Sequence, residues 1–252
     1  MKVKVLASGS KGNCTLIRTP AINLLIDMGI TYQYLANELE NINLNPKELN
    51  AILITHTHND HIKGLTSLVK KTNIRVYILE EMLEELIKKI PSDNLFIYKE
   101  PLNLKDLKIN LIRISHDVEG TGFIIEHNKE SLVYITDTGY INRKYLPLMK
   151  NKKTYIIESN HDEEMLMEGP YPYILKQRVI SDKGHLSNKT TSEYLLEIVG
   201  DKTEHIILAH ISEKNNTEQL ALNTTKNLLE SNGIYKDIII AKQYESLDEI
   251  EV

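Results

Sequence analysis

The sequence predicts an α/β protein in which two layers of β-sheet are enclosed by helices. Three observations lead to this fold class. Short apolar runs of strand character recur along the chain, amphipathic helical stretches lie between and after them, and several of the apolar runs end directly on His or Asp. Polar residues at the ends of buried strands are how α/β scaffolds gather a site at one edge of a sheet.

The strands are predicted from apolar runs that are too short for helices. They fall at 3–7, 14–18, 22–26, 51–54, 75–79, 109–114, 122–126, 132–136, 154–158, 205–209 and 237–241. Apolar residues at helical spacing predict helices at 32–40, 80–90, 142–149, 171–180, 188–199 and 217–231. In the second of these, glutamates lead and lysines follow, which suits the helix dipole, and Pro91 ends the stretch.

The composition is that of a soluble globular protein. The chain has 252 residues, of which 41% are hydrophobic and 26% charged, and no repeat or flexible linker divides it. We therefore expect one domain over 1–252. No apolar run approaches the roughly 20 residues of a membrane span, and the first residues show no signal peptide, so we predict a cytoplasmic protein without membrane partners.

Cysteine usage limits the chemistry. Cys14 is the one cysteine, so the chain has no internal disulfide and no cysteine-based zinc finger. Any bound metal must be held by His, Asp or Glu.

The densest functional signal is the segment Thr-His-Thr-His-Asn-Asp-His at 55–61. It contains four side chains that can bind metal: His56, His58, Asp60 and His61. The two histidines that are two residues apart point the same way on extended backbone, whereas Asp60 and His61 follow after the chain turns. This arrangement favours two ions side by side, and imidazole with carboxylate ligands suits Zn²⁺ or Mn²⁺.

Further ligand candidates lie at the ends of other predicted strands. His116, Asp137 and His210 each follow an apolar run directly or within one or two residues. Asp27 also ends such a run, and we expect it to orient His56 or His58 rather than to bind metal itself. His127 and His205 lie outside any motif and are interpreted as ordinary histidines.

These features resemble those of the metallo-β-lactamase superfamily, whose His-x-His-x-Asp-His string the chain carries without departure. Within that superfamily the chain looks closest to the YycJ (WalJ) type of metallo-hydrolase. The similarity is carried by the stretches 6–13, 136–140, 158–162, 181–188 and 208–212. It implies a four-layer αββα sandwich with two divalent metal ions. It further implies the ligand sets His56, His58 and His116 for one ion and Asp60, His61 and His210 for the other, with Asp137 bridging.

The resemblance also implies a phosphodiester hydrolase, most directly a DNA exonuclease with 5′→3′ polarity. The net charge of −5 favours an alternative, a phosphodiesterase acting on small or cyclic nucleotides, which needs no basic track. An alternative of another class is a non-catalytic metal-binding regulatory protein, against which the intact Asp137 and His185 argue. The sequence leaves a homo-oligomer open.

Asp60 and His185 are the predicted catalytic residues. A phosphodiester hydrolase with two metals still needs an acid for the leaving oxygen, and His185 is the candidate for it. Gly184 before it allows a close backbone approach, and Ser187 with Asn188 predicts the cap of the next helix. The alternative for His185 is a capping or surface residue.

Possible substrate contacts fall in three places. Ser10 and Asn13 lie in a glycine-containing loop that is either a phosphate-binding loop or a simple hairpin turn. His161 either contacts substrate phosphate or hydrogen-bonds locally with Asp162. Lys176 and Arg178, beside tyrosines, either meet nucleic acid or belong to an ordinary packed helix.

Overall fold

The strands form two seven-stranded mixed sheets. The structure is a computed structural model that describes all residues, 1–252. Its strands are β1 (Lys2–Ala7), β2 (Cys14–Arg18), β3 (Asn23–Ile26), β4 (Ala51–Leu53), β5 (Arg75–Ile78), β6 (Leu95–Ile97), β7 (Leu102–Leu104), β8 (Leu107–Arg113), β9 (Thr121–His127), β10 (Glu130–Ile135), β11 (Thr154–Glu158), β12 (His205–Ala209), β13 (Asp237–Ile240) and β14 (Ile250–Glu251). The sheet orders are β14-β1-β2-β3-β4-β5-β6 and β13-β12-β11-β10-β9-β8-β7.

The helices lie between the strands in the sequence. They are α1 (Tyr32–Glu40), α2 (Asn59–Ile62), α3 (Leu65–Thr72), α4 (Leu83–Leu86), α5 (Leu146–Met149), α6 (Glu163–Glu168), α7 (Tyr173–Val179), α8 (Asn188–Ile198) and α9 (Glu218–Ser231). None of them combines the length and the apolar character that crossing a bilayer would require.

The chain divides into two compact units. The first comprises residues 1–110, 118–121 and 242–251, and the second comprises 111–117, 122–241 and 252. The expected single domain over 1–252 stays a prediction.

In the first unit, parallel pairing places the ends of β3 and β4 side by side. Ile26 lies opposite Leu53, and the backbone N–H of Asp27 donates to the Leu53 carbonyl at 2.9 Å. Because both strands run in the same direction, the residues that follow them emerge at the same sheet edge. Asp27 and the segment from Thr55 to His61 therefore share that edge.

In the second unit, β10, β11 and β12 are parallel and bring three strand ends together. Ile135 lies opposite Ile157, and Glu158 lies opposite Ala209. Polar residues come at the ends of these strands: Asp137 follows β10 and His210 follows β12. The strands themselves are buried among apolar side chains, so the polar groups stand at the rim of the core.

Every predicted strand is present, but two predicted helices are shorter than expected. The stretch 142–149 begins with a 3₁₀ turn at Arg143–Tyr145, because Pro147 lacks an N–H and is tolerated only in the first turn of α5. The stretch 80–90 likewise starts as a 3₁₀ turn at Glu80–Met82 and continues as the single α-turn of α4. Isolated helices of this length are marginal without packing along their whole face. The strands β6, β7 and β14 are too short to give a periodic signal.

Candidate metal centre

In the first unit, the histidine string lies in the turn between β4 and α2. The ring centroid of His56 is 4.8 Å from that of His58 and 4.0 Å from that of His61. His58 is the N-terminal cap residue of α2, and Asp60 stands in the first turn of that helix. His56 and His61 are fully buried. The chain turns into the short helix α2 directly after β4, and this turn packs the three imidazoles together. Extended backbone alone would not bring them into contact.

Asp27 fixes one of these rings. Its Oδ2 lies 2.7 Å from Nδ1 of His61, and its two oxygens also accept from the Thr55 N–H and hydroxyl, each at 2.8 Å. The sequence-based assignment of Asp27 to His56 or His58 is wrong, because the partner is His61. The backbone explains the difference: Asp27 adopts a left-handed φ of 60° at the end of β3 and turns its side chain toward α2.

This contact selects the tautomer of His61. Nδ1 carries the proton toward Asp27, so Nε2 carries the lone pair that can bind a metal. Burial raises the pKa of Asp27, while the neighbouring His61 and the Thr55 hydrogen bonds act in the opposite direction. Thr55 was not singled out in the sequence, although its position between β4 and the string places it against Asp27.

Asn13 fastens the loop after β1 to the same string. Its amide bonds the backbone of Gly9 through both atoms, at 2.8 and 3.0 Å, and its Nδ2 lies 3.0 Å from Nε2 of His61 and 3.3 Å from Oδ2 of Asp60. Gly29 permits this packing, because a Cβ there would lie 1.6 Å from the Asp60 carbonyl oxygen. The side chain of Asn13 is buried, whereas Ser10 is exposed.

Replacing Asp27 with Asn is expected to weaken metal binding by about 10–100-fold, because the acceptor that orients His61 becomes an amide. Competition with a chelating dye in the purified protein measures this. Asp93→Asn, which changes an exposed carboxylate of the same unit, is the matched control. Equal affinities in the Asp27 variant and the wild type would contradict the positioning role of Asp27.

In the second unit, Asp137 and His210 occupy strained backbone. Their φ values are 58° and 54°, in the left-handed region that most residues avoid. Such conformations cost roughly 1–3 kcal/mol each and cluster at functional sites. Both residues are buried, so the fold holds these two polar side chains at the strand ends despite the conformational cost.

Glu158, at the end of β11, joins two histidines. Its Oε1 lies 2.8 Å from Nδ1 of His185 and 2.8 Å from Nδ1 of His210, and its Oε2 accepts from the N–H groups of Thr138 and Leu186, each at 3.1 Å. The carboxylate is fully buried. Burial alone would raise its pKa, but the charge and hydrogen bond of His185, followed by the hydrogen bond of His210, lower the pKa of Glu158 to about 2.

The same contacts act on His185. Burial lowers the pKa of this imidazole, but the charge and hydrogen bond of Glu158 together with the charge of Asp137 outweigh burial, so the pKa of His185 is raised above its ordinary value. Its side chain keeps 21% of its surface exposed. With Nδ1 facing Glu158, Nε2 is the nitrogen through which His185 can meet a substrate.

The loop before α8 has the form that the sequence predicts. A Cβ at Gly184 would lie 2.0 Å from the Val179 carbonyl oxygen, so only glycine fits there. Ser187 caps α8 by accepting from the Thr190 N–H. His116 has its Nδ1 3.3 Å from the Gly184 carbonyl oxygen, which leaves its Nε2 as the ligand atom. Burial lowers the pKa of His116 and favours the neutral form that metals require.

The remaining predicted contacts are scattered within the second unit. His161 is buried, its Nδ1 has no hydrogen-bond partner, and burial lowers its pKa to about 4. It pairs with Ser187 in an isolated bridge, while the side chain of Asp162 caps α6. Lys176 donates to the Met167 carbonyl at 2.6 Å, and Arg178 pairs with Asp117. The two histidines interpreted as ordinary pair locally, His127 with Glu130 and His205 with Asp237.

The residues present fit divalent metal ions. Each unit presents buried imidazole nitrogens together with carboxylate oxygens, the donor set of Zn²⁺ or Mn²⁺. In the second unit, ligand atoms of Asp137, Glu158, His185 and His210 all lie within 4.8 Å of one another. Glu158 is better described as a hydrogen-bond acceptor than as a ligand, because one of its oxygens accepts from both histidines and the other from two N–H groups.

Comparison with known proteins identifies the family. Residues 22–211 match the model of the beta-lactamase superfamily domain. Exodeoxyribonuclease YycJ of Bacillus anthracis is 37% identical over 235 residues, which are 91% of this chain and 89% of that protein. Exodeoxyribonuclease WalJ of Streptococcus pneumoniae (strain D39) is 36% identical over 236 residues, 90% of this chain and 88% of that protein. The chain therefore belongs to the metallo-β-lactamase superfamily and, within it, to the YycJ (WalJ) type.

A solved structure shows the fold independently. The metallo-beta-lactamase fold protein YhfI of Bacillus subtilis superposes with a TM-score of 0.76 at 16% identity, covering 98% of this chain and 99% of that one. The predicted fold class is thus confirmed. Family membership also confirms the predicted enzyme class, a metal-dependent hydrolase, and the use of divalent metal.

Glu158 had no role in the sequence-based prediction. The signal was available, because Glu158 ends the apolar run 154–157 just as Asp27 ends 23–26. What the sequence did not contain is that two histidines from 27 and 52 residues further along the chain meet this one carboxylate.

Proposed function

We propose that the protein is a metal-dependent exonuclease that hydrolyses phosphodiester bonds of DNA in the 5′→3′ direction. Two observations support it: two relatives that match over most of their length are exodeoxyribonucleases, and His185 is paired with the buried carboxylate of Glu158. The pairing carries the mechanism, because it turns the Nε2 of a partly exposed imidazole outward and raises the pKa of that imidazole.

We propose two ions per chain, Zn²⁺ or Mn²⁺, with the ligands His56, His58 and His116 for one and Asp60, His61 and His210 for the other, and Asp137 between them. This assignment rests on the family string and on the donor types of these side chains. When bound, such ions activate water and neutralise charge on a phosphodiester. Cytoplasmic location and homo-oligomerisation stay predictions.

The residues of the chain have separate roles in the proposed reaction. Asp60 keeps 22% of its side chain exposed. Its carboxylate would supply an oxygen ligand to a bound metal ion, and it would accept the proton of the attacking water. His185 donates the proton on Nε2 to the leaving oxygen, which would otherwise depart as an alkoxide. Glu158 keeps His185 in the tautomer and charge state that this transfer needs. Asp27 orients His61 through Nδ1, and Asn13 donates a hydrogen bond to Asp60.

The proposed substrate contacts differ in how well their surroundings suit them. His161 is neutral at pH 7, so it can donate one hydrogen bond to a phosphate, or donate to or accept from a sugar hydroxyl. Lys176 and Arg178 lie on α7 and can meet a DNA backbone. Ser10 is exposed and can do the same, whereas the fastening role of Asn13 uses both of its amide atoms.

One incubation series tests the proposal against its main alternative. The protein is incubated with Mn²⁺ or Zn²⁺ and offered 5′-phosphorylated linear duplex DNA, single-stranded DNA or a cyclic nucleotide. Mononucleotide release from DNA ends is expected. Hydrolysis of the cyclic nucleotide alone would favour the small-nucleotide phosphodiesterase. The net charge of −5 is compatible with that alternative, because a small substrate needs no basic track. No hydrolysis with either metal would favour a regulatory protein.

His185→Gln is expected to lower kcat on DNA by roughly 10²–10³-fold, within the range for loss of a general acid, with metal content unchanged. Turnover of a p-nitrophenyl phosphodiester, whose leaving group needs no proton, should fall far less. Steady-state kinetics on both substrates, with metal analysis, measures the difference. Equal losses on the two substrates would show that His185 is not the acid.

A further inference from the structure

The first unit contains a small pocket that the proposed chemistry does not use. Its volume is about 190 Å³, and its walls include Lys11, Tyr34, Lys63, Gln243 and Tyr244. We call it the lysine–tyrosine pocket. It is well below the roughly 300–1,000 Å³ of sites for drug-sized ligands, so it suits a single base or phosphate.

The charge of the pocket is positive. Lys11 and Lys63 line it and no carboxylate does. The ammonium of Lys63 makes no ion pair, and that of Lys11 contacts the hydroxyl of Tyr244 and lies 5.0 Å from the centroid of its ring. In a chain with a net charge of −5, two lysines in one recess are a local attraction for an anion.

A second lysine-lined cavity provides a contrast. It has a volume of about 830 Å³ and lies in the second unit. Glutamates in its wall pair with its lysines, Glu126 with Lys152 at 2.7 Å and Glu204 with Lys153 at 3.4 Å. Five lysines and three glutamates line this cavity, so it also has an excess of positive charge. Unlike the lysine–tyrosine pocket, its wall contains no aromatic ring on which a base could stack.

Aromatic and amide groups accompany the lysines. Tyr244 is 59% exposed, so a large part of its ring is available for stacking. The phenol of Tyr34 donates to the Leu6 carbonyl at 3.1 Å, which fixes its ring in the wall. Both amide atoms of Gln243 are buried without a hydrogen-bond partner. A buried amide in this state costs free energy.

The pocket is built on the same backbone as the histidine string. Gly29 in its wall packs against the Asp60 carbonyl, and Gly12 precedes Asn13, whose N–H donates to the same carbonyl at 2.8 Å. Lys63 follows His61 by two residues. A ligand in the pocket therefore lies beside the turn that carries the proposed ligands Asp60 and His61.

We infer that the lysine–tyrosine pocket binds one nucleotide of a DNA strand next to the bond that is cleaved. Lys11 and Lys63 hold its phosphate, and its base stacks on Tyr244. A positive recess beside an exposed aromatic ring is the usual means of binding single-stranded nucleic acid. This inference rests on the proposed nuclease function and specifies where the strand is held.

The test measures binding and turnover separately. Fluorescence anisotropy gives the Kd of a labelled single-stranded oligonucleotide for the wild type and for the Lys11→Gln, Lys63→Gln double variant, over a range of salt concentrations. We expect the Kd to rise about tenfold and the plot of log Kd against log salt to flatten by about 0.7 for each phosphate that the variant no longer binds. The matched control, Lys47→Gln with Lys70→Gln, removes the same charge from exposed positions of the same unit and should leave both quantities unchanged.

Stacking has its own pair of variants. Tyr244→Ala should raise the Kd about tenfold, whereas Tyr244→Phe, which keeps the ring, should bind like the wild type. An oligonucleotide series with one abasic site moved stepwise from the end should contain one position at which Tyr244→Ala no longer weakens binding. Equal weakening at every position would contradict stacking of one base.

The small p-nitrophenyl diester separates this inference from the proposed function. Its turnover should be the same in the wild type and the double lysine variant, because it does not reach the pocket. Unchanged Kd for DNA in the double lysine variant, or an equally large rise in Kd in the lysine control, would overturn the pocket assignment. If the wild type hydrolyses no diester, the nuclease proposal fails, while the anisotropy data still decide whether DNA occupies the pocket.

Discussion

Replacing Glu158 with Gln is expected to lower kcat on DNA by roughly 10⁴-fold. In the wild type, one charged oxygen of Glu158 accepts a hydrogen bond from Nδ1 of His185 and another from Nδ1 of His210. The glutamine amide carries no charge, so neither imidazole is held in its tautomer and orientation. The effect is comparable to replacing the carboxylate that orients a catalytic histidine in other hydrolases. Because His210 is also a proposed ligand, the affinity for metal should fall by about 10–100-fold in the same variant.

This variant should also be less stable. Four hydrogen-bond donors face the Glu158 carboxylate, and breaking a buried, charged network costs roughly 3 kcal/mol. Denaturant unfolding of the variant and of Glu197→Gln, which changes an exposed carboxylate paired with Arg143, measures the difference. Kinetics at saturating metal, on protein shown to be folded, then isolates catalysis. A kcat within tenfold of the wild type would refute the central role of Glu158.

Replacing His58 with Ala is expected to abolish hydrolysis, by about 10⁴-fold or more, and to lower the metal content from two ions to one. His58 is the preferred ligand for this test because it is partly exposed, whereas His56 is fully buried and its removal would leave a cavity. With one ion instead of two, the site could no longer stabilise both the attacking and the leaving oxygen of the phosphodiester.

Elemental analysis after gel filtration and steady-state kinetics with added Mn²⁺ or Zn²⁺ measure the two effects. His205→Ala is the matched control, because that histidine pairs with Asp237 outside the site, and the variant should keep two ions and full turnover. Full activity of His58→Ala would contradict the metal-centred mechanism, and one ion in the wild type would contradict the two-metal proposal.

The sequence predicted the fold and most of the polar residues at the strand ends. Eleven strands were predictable because each is a short apolar run, whereas β6, β7 and β14 gave no such signal. The ends of helices were less predictable. Pro147 divides the predicted helix 142–149 into a 3₁₀ turn and the short helix α5. The predicted helix 80–90 is reduced to a 3₁₀ turn and the single turn of α4. The string from His56 to His61 was recognisable because its residue types and spacing are local.

Long-range partners were not predictable in the same way. The sequence placed Asp27 with the wrong histidine and assigned no role to Glu158, because both errors concern contacts between segments far apart in the chain. Asp27 reaches His61 across 34 residues, and Glu158 reaches His210 across 52. Lys11 and Tyr244 lie even further apart, and their shared pocket has no signature in the order of residues.

A metal-dependent chemistry was evident from the residue types and their spacing at one strand end. Which nitrogen of each histidine is available to a metal or a proton depends on the folded structure. That choice depends on the hydrogen bond at the other nitrogen, and its acceptor is Asp27 for His61, Glu158 for His185 and His210, and the Gly184 carbonyl for His116. Such acceptors are brought into place by strand register and by left-handed turns, which no local pattern encodes.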